Sequence, residues 1–385
     1  MDFELSMKHR IIQKTARQFA ERECGPLASR IDREAELPLT LLERMKPLGY
    51  FGLQIPQELD GAGLDTLGFA LVVEAVSQVC AALGLLVAVH NSVVANPLLR
   101  FGTTEQIEHH LKPLARGECI GAFCLTEPNA GSDAAAIQTM AVVDGEEFIL
   151  NGNKIFVTNG GLAGIALVFA RTDLTDHPKE SSVFIVETDR AGCRRGPLED
   201  LVGMRGNPVG SLILDDCRLP RGNMLGRPGD GLRIAMTSLD GGRIGIAAQA
   251  LGIAQAAMDA ACRYAGERIQ FGKPIGHFQA IQSKIADMVV QIEAARLLIY
   301  RGARVLDTGT GAATLSSAAA KLFAAQVAVR AALEAVQIHG GYGYTRTYPV
   351  ERYLRDAKAT EIYEGTSEIQ RMVIGKTLLA ARRRT

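Results

Sequence analysis

The sequence predicts an α+β chain in which a helical region, a smaller β region and a second helical region follow one another. Apolar residues recur at spacings of three and four over long stretches toward the C-terminus. Short β-rich runs broken by Gly, Pro and Asp crowd the middle. Nothing reads as a strand–helix–strand unit with its own phosphate loop, and 385 residues exceed what one compact core holds.

The first region, residues 1–118, shows little period-two alternation. Its most apolar stretch, 67–89, is interrupted by Glu74 and Gln78 and reads as a core helix rather than a membrane span. Asp65 or Thr66 is expected to cap it, and Pro97 to mark its far end. In the second region, 119–225, runs at 148–150 and 155–157 flank Asn151-Gly152, a pair that predicts a hairpin. Further strands are expected at 165–170, 183–187 and 211–214. In the third region, 226–385, Ile281, Ile285, Met288, Ile292, Ala295 and Ile299 form one apolar stripe, and Leu315, Ala318, Leu322, Ala325, Val329, Ala332 and Val336 a second. Two such stripes predict an antiparallel helical bundle. Gly340-Gly341-x-Gly343 follows a helix, so it reads as a helix end and turn and not as a dinucleotide fingerprint.

Lys plus Arg and Asp plus Glu both number 42, which gives no field toward nucleic acid or anionic lipid. Seven scattered cysteines without a C-x-x-C pair, and no H-E-x-x-H spacing, point to reduced thiols and to no metal site. Residues 1–10 carry no apolar signal core, and the arginines at 382–384 read as a solvated tail.

Two elements can carry chemistry. Phe123-Cys124-Leu125-Thr126-Glu127-Pro128-Asn129-Ala130-Gly131-Ser132-Asp133 offers hydroxyls and unpaired N–H groups, although taken alone a capped turn is the favoured reading of it. In Tyr363-Glu364-Gly365-Thr366-Ser367-Glu368-Ile369-Gln370, Ser367 and Gln370 read as a capping box. Glu364 then sits in the turn ahead of a helix, either aimed at a ligand or merely solvated beside the helix dipole.

With Arg268-x-Gln270-Phe271-Gly272-Lys273 between them, these elements resemble the acyl-CoA dehydrogenase family in order and spacing, over the whole chain. The look is closest to short-chain, butyryl-CoA or short/branched-chain members. The resemblance implies an N-terminal helical domain, a middle β-barrel or sandwich and a C-terminal four-helix bundle. It also implies FAD and α,β-dehydrogenation of an acyl-CoA to the trans-2-enoyl-CoA, with Glu364 as catalytic base. Some relatives carry the base after a Leu-Asp-x-x-Arg element instead. Here that element is Leu239-Asp240-Gly241-Gly242-Arg243, and Gly242 cannot take a proton.

By the same resemblance, Phe123, Leu125 and Thr126 lie along the flavin, with Thr158 near its N5 edge and Phe156 over a ring face. Arg268, Gln270 and Phe271 meet the pyrophosphate and adenine, with Gln337 and Gly341 supplied across a subunit interface. Gln279, Thr366 and Glu368 also fall at FAD positions. Ser132, Asp240, Arg243, Tyr363 and Gly365 fall at substrate positions. The implied partners are an acyl-CoA, electron-transferring flavoprotein and further copies of the chain in a tetramer or dimer, with neither nucleic acid nor a membrane span. The implied location is the cytoplasm of a bacterium, or the mitochondrial matrix for a mature eukaryotic chain.

Residues 83–94 contain no arginine for a distal carboxylate, which disfavours a dicarboxylyl-CoA and leaves short, branched or alicyclic substrates. His90, Asn91 and Ser92 either satisfy their helix or face the acyl group. An oxygen-using oxidase and a non-catalytic flavoprotein acting as an assembly partner are the alternatives.

Overall fold

A computed structural model describes residues 4–174, 177–309 and 312–382. Arg383 and Arg384 of the expected tail, and positions 1–3, lie outside the described residues.

Among the described residues, eight α-helices precede the sheet: α1 (Met7–Phe19), α2 (Ala28–Glu34), α3 (Leu39–Met45), α4 (Thr66–Ser77), α5 (Ala81–Val89), α6 (Asn96–Phe101), α7 (Thr104–Gln106) and α8 (Lys112–Ala115). Asp65 caps α4, its Oδ1 accepting from the Gly68 N–H at 2.8 Å. The stretch expected as one helix is two, broken after Ser77, and both are buried except at half-buried Leu67. Pro97 does not end the second. A π-helical turn at His90–Ala95 carries the chain into α6, where Pro97 occupies the first turn and its missing N–H costs nothing. Ala81–Phe101 and Gly231–Glu267 are long and apolar enough to cross a membrane, yet both are largely buried inside the protein.

The middle forms one mixed eight-stranded sheet from β1 (Ile120–Cys124), β2 (Met140–Asp144), β3 (Glu147–Val157), β4 (Ala163–Leu174), β5 (His177–Glu187), β6 (Cys193–Leu198), β7 (Gly210–Pro220) and β8 (Met224–Leu225). The strand order is β6-β7-β3-β2-β4-β5-β8, with β1 parallel to β4. On β4, Ile165, Leu167 and Phe169 face the helices while Ala166, Val168 and Ala170 face a second core inside the β region. Asn151-Gly152 is not a turn: β3 continues through it, with a slip in its pairing to β7 between Leu150 and Gly152, and the hairpin closes instead at Asp144 and Glu147. Gly152 is there for a close approach, because a Cβ would stand 2.3 Å from Thr139 Oγ1. The Asn151 side chain is occupied with Asp216, donating to its Oδ1 and accepting from its N–H.

The last region contains α9 (Gly231–Glu267), a two-stranded hairpin of β9 (Ile269–Gln270) and β10 (Lys273–Pro274), then α10 (Gln279–Thr308), α11 (Ala313–His339), α12 (Val350–Thr360) and α13 (Ser367–Arg382). The hairpin is absent from the purely helical expectation; left-handed Phe271 and Gly272 turn it. Helix α11 packs against α9, α10, α12 and α13, so its alanines permit approach on several sides. The loop between β6 and β7 docks on α12, where the Met204 N–H donates to Asp356 Oδ1 at 2.6 Å.

Candidate active site

Glu364 closes the turn between α12 and α13 in a left-handed conformation, φ 52°, followed by Gly365 at φ 92°. Such a conformation is costly for a residue with a Cβ and marks a constrained position. One side chain holds two carbonyls of the turn: Gln370 Nε2 donates to the Glu364 and Gly365 carbonyls at 3.1 and 3.0 Å. Tyr363 is anchored through its hydroxyl to Gln249 Oε1 at 2.8 Å. The helix start does not use the expected capping box. Thr366 Oγ1 accepts from the Ile369 N–H, while the Ser367 hydroxyl is buried without a partner. Gln370 is drawn away from that box by the two carbonyls.

Both carboxylate oxygens of Glu364 are buried and have no hydrogen-bond partner. Burial pushes this carboxyl up to about 7, against the lowering charges of Lys321 and Arg243. The carboxylate lies over Gly242 of α9, where a Cβ would stand 2.0 Å from Oε2. The Glu364 N–H finds no acceptor among the described residues. A buried, unpartnered carboxylate with a free amide beside it is a proton acceptor adjoining an anion-stabilising donor.

Around it, Asp240 accepts from Arg243 Nη1 at 2.6 Å, Thr314 Oγ1 at 2.7 Å and Ser317 Oγ at 3.2 Å, so its carboxylate is turned into the protein. Arg243 is buried and its Nε is unpartnered. Ser132 lies exposed on its loop, beside an open Gly131.

A second cluster gathers at the end of β1 and β3. The Ile155 N–H donates to the Thr126 carbonyl at 3.0 Å, which ties the Leu125–Thr126 segment to β3. The pairing of β3 with β7 slips between Lys154 and Val157. Phe156 sits in that bulge at φ 52° with 57% of its surface exposed, an aromatic face re-aimed outward beside half-buried Thr158. Phe123 packs on Phe169 with ring centroids 4.7 Å apart. Beneath, buried Lys154 donates to Glu127 Oε1 at 2.6 Å and to the Leu125 carbonyl at 3.2 Å.

A third cluster lines a cleft of about 480 Å³ that contains Arg268, Gln270 and Gly341. The Arg268 guanidinium lies 5.5 Å from the Tyr342 ring centre and pairs with no carboxylate among the described residues. Phe271, at the hairpin tip, is 93% exposed. Gln337 and Gln279 are exposed nearby in sequence but do not line this cleft. Glu368 is exposed on the first turn of α13, held low by its own N–H and by the Thr366 hydroxyl. No hydrogen bond, ion pair or ring contact among the described residues joins the three clusters.

His90, Asn91 and Ser92 resolve toward holding their helix. His90 Nδ1 accepts from the Gly121 N–H at 3.1 Å and Nε2 meets the Leu114 carbonyl at 3.2 Å, and burial holds the ring down to about 4. Asn91 accepts from the Leu53 N–H and donates to Tyr50 and Val87, while Ser92 donates to Ala88. Sequence reasoning missed Lys321, Gln249, Gln370 and Lys154. Lys321 had a signal, as a lone charge within an alanine-rich apolar run.

The comparisons with known proteins agree with this arrangement. The N-terminal, middle and C-terminal domains of acyl-CoA dehydrogenase match residues 6–118, 122–217 and 229–379. The chain is similar to the short-chain specific acyl-CoA dehydrogenase of Clostridium acetobutylicum, with 46% identity over 97% of this chain and 98% of that one. It is also similar to the mitochondrial short-chain specific enzyme of Mus musculus, with 45% identity over 99% and 92%. Among solved structures, butyryl-CoA dehydrogenase from Megasphaera elsdenii superposes with a TM-score of 0.96 at 44% identity, covering 98% of this chain and all of that one. A chain solved in work on the electron-transferring flavoprotein of Acidaminococcus fermentans gives 0.96 at 45% identity, with the same coverage. The chain belongs to the acyl-CoA dehydrogenase family, flavoprotein oxidoreductases that act on a CH–CH bond of an acyl-CoA and use FAD.

The residues present fit that cofactor. An outward aromatic ring strained into a bulge and an arginine fork without a carboxylate are groups left waiting for a flat ring and an anion.

Proposed function

We propose that the reaction is removal of an α-proton from a short acyl-CoA by Glu364, giving the trans-2-enoyl-CoA. The observation that carries this is the Glu364 carboxylate, buried, unpartnered and raised to about 7, in a turn whose own N–H is free. A carboxylate poised near neutrality takes a proton far better than one near its ordinary value of 4.5. The free N–H of the same residue donates to the thioester oxygen as negative charge develops there. The cations of Lys321 and Arg243 favour the ionised base, while Gly242 leaves space for it above α9.

When bound, FAD supplies the acceptor for the hydride that leaves the β-carbon. In this reading Thr126, Thr158 and Phe156 hold its ring and Arg268, Gln270 and Phe271 its pyrophosphate and adenine. Arg268 is half-buried and its neighbours Gln270 and Phe271 are exposed in one chain, and with Gln337 and Gly341 they complete the cofactor site across a homotetramer or dimer interface. Short-chain naming of relatives at 45–46% identity supports a butyryl-sized substrate, and a neighbour from work on electron-transferring flavoprotein supports that protein as electron acceptor. Bacterial relatives favour the cytoplasm, and the mouse relative is mitochondrial.

An anaerobic titration of the purified flavoprotein with butyryl-CoA, and then with branched and alicyclic thioesters, tests the reading. The yellow band should bleach with the wild type and persist in Glu364→Gln despite bound thioester. Bleaching at an undiminished rate in Glu364→Gln would remove the base assignment. Turnover with oxygen compared with electron-transferring flavoprotein separates an oxidase from a dehydrogenase.

A further inference from the structure

Lys321 lies on α11 at the centre of the bundle, and none of its side chain reaches solvent. Lysine is almost never fully buried unless it is paired, yet this ammonium has no carboxylate partner among the described residues. Its hydrogen bond goes to the Gly365 carbonyl at 2.7 Å. That carbonyl also accepts from Gln370 Nε2 at 3.0 Å, so α11 and α13 grip the same peptide. That peptide joins Gly365 to Thr366, one link beyond Glu364, and it fixes the left-handed turn from which the carboxylate reaches Gly242.

Several charges face this carboxylate. Arg243 approaches from α9, already engaged by Asp240 at 2.6 Å. Asp356 of α12 acts on Tyr363 of the turn, which feels Glu364 as well. Glu361 and Glu368, on either side of the turn, act on Lys321 rather than on the base. Of the charges that lower Glu364, Lys321 is the largest, ahead of Arg243. The coupling is mutual: burial pushes Lys321 down to about 8, and Glu364 is the strongest charge opposing that fall. Lys321 is therefore the one cation here whose charge is not already shared with a hydrogen-bonded carboxylate.

We propose that Lys321 is a positioning residue for the dehydrogenation: it pins the Gly365 carbonyl, which aims the Glu364 carboxylate, and it sets a buried ammonium without a carboxylate partner beside that turn. The proposal rests on Glu364 being the base. It gives Lys321 two separable duties, one as a hydrogen-bond donor and one as a charge.

Variants of the FAD-loaded protein separate them. Lys321→Gln keeps a donor and loses the charge, Lys321→Met loses both, and Lys321→Arg keeps the charge. The readout is the rate of flavin bleaching by butyryl-CoA across pH 5.5 to 9, alongside flavin content and melting temperature. Removing a cation beside an acid raises that acid, so the acid limb in Lys321→Gln should move up by about one pH unit. Its rate on the alkaline plateau should remain within roughly tenfold of wild type. Lys321→Met should show the same displacement and a further loss of about tenfold or more at every pH, because the carboxylate is no longer aimed. Lys321→Arg should restore the wild-type limb. Folded, flavin-loaded Gln and Met variants with a wild-type limb would overturn the proposal and leave Lys321 a packing residue.

If Lys321→Met does not fold alone, the double variant Lys321→Met/Glu364→Gln decides. Recovery of the fold identifies the Glu364 charge as what Lys321 balances, and no recovery assigns Lys321 to the fold and overturns the proposal. Glu364→Gln alone guards the underlying reading. A wild-type bleaching rate there sinks the base, and the proposal with it. An inactive Glu364→Gln beside an unshifted Lys321→Gln sinks the proposal only.

Discussion

Gly242 gives the sharpest test of where the base lies. In Gly242→Ala the new carbon would stand 2.0 Å from Glu364 Oε2, 2.7 Å from Cδ and 2.9 Å from Oε1. Carbon–oxygen contacts settle near 3.3 Å, so the carboxylate must withdraw by roughly 1.3 Å. What it meets is the free end of a flexible side chain, so the helix and the turn survive. The effect therefore falls on chemistry: displacing a reacting group by about 1 Å costs on the order of 100-fold in rate. Single-turnover bleaching of the flavin by butyryl-CoA measures that loss, with flavin content and melting temperature as controls. Flavin content should be unchanged and the melting temperature within a few degrees of wild type. A wild-type bleaching rate in a folded, flavin-loaded Gly242→Ala would refute the placement of the reacting carboxylate over α9. A collapse in melting temperature would show that the glycine serves helix packing instead.

Three further outcomes follow from the same geometry. Glu364 is raised from 4.5 to about 7 in the fold, so the native state resists its ionisation. Wild-type stability should fall as pH rises through that window, and Glu364→Gln should melt like wild type near pH 4.5 but higher than wild type at pH 8; a constant difference across that range would contradict the burial argument. Lys154→Met strands the buried Glu127 carboxylate, which keeps only the Gln138 and Thr139 donors. Denaturant unfolding should show a loss of about 3 kcal/mol, the low end for a broken buried pair. Arg268→Gln removes a guanidinium without a carboxylate partner, so the melting temperature of the flavin-free protein should hold while the fraction of protein that retains flavin through gel filtration falls.

The architecture was legible because its elements bury continuous stripes. The residues at 281–299 fall on one face of α10 as read, and Asp65 caps α4 as its position predicts. The misreadings came from residues whose local preference was overruled by tertiary contact. Asn151-Gly152 has turn chemistry, but Thr139 and Asp216 take up the glycine's empty side and the asparagine's amide, and β3 continues. Pro97 reads as a stop, but a π turn ahead of it absorbs the missing donor. Ser367 and Gln370 have capping-box spacing, but Gln370 serves the Glu364 turn. In the candidate site, Glu364 was legible through its neighbours in sequence. The partners that set its behaviour, Lys321, Gln249 and Gly242's empty face, lie 43 to 122 positions away in sequence and meet it only through packing.

Among the described residues, five of the seven buried side-chain polar atoms without a partner belong to Arg243, Glu364, Ser367 and Gln370, around one turn. A left-handed glutamate, its unpartnered carboxylate, a buried lysine on a carbonyl, an orphaned Arg243 Nε and an unsatisfied Ser367 hydroxyl all surround one turn. Each would be relieved by an apolar or smaller residue, and each costs about 1–3 kcal/mol on its own. A chain under selection for stability alone would lose them. The proposed proton abstraction beside a thioester carbonyl accounts for them together: a thioester against the turn takes up the free N–H and calls for a carboxylate that is ionised but poorly solvated, and a merely structural turn calls for neither.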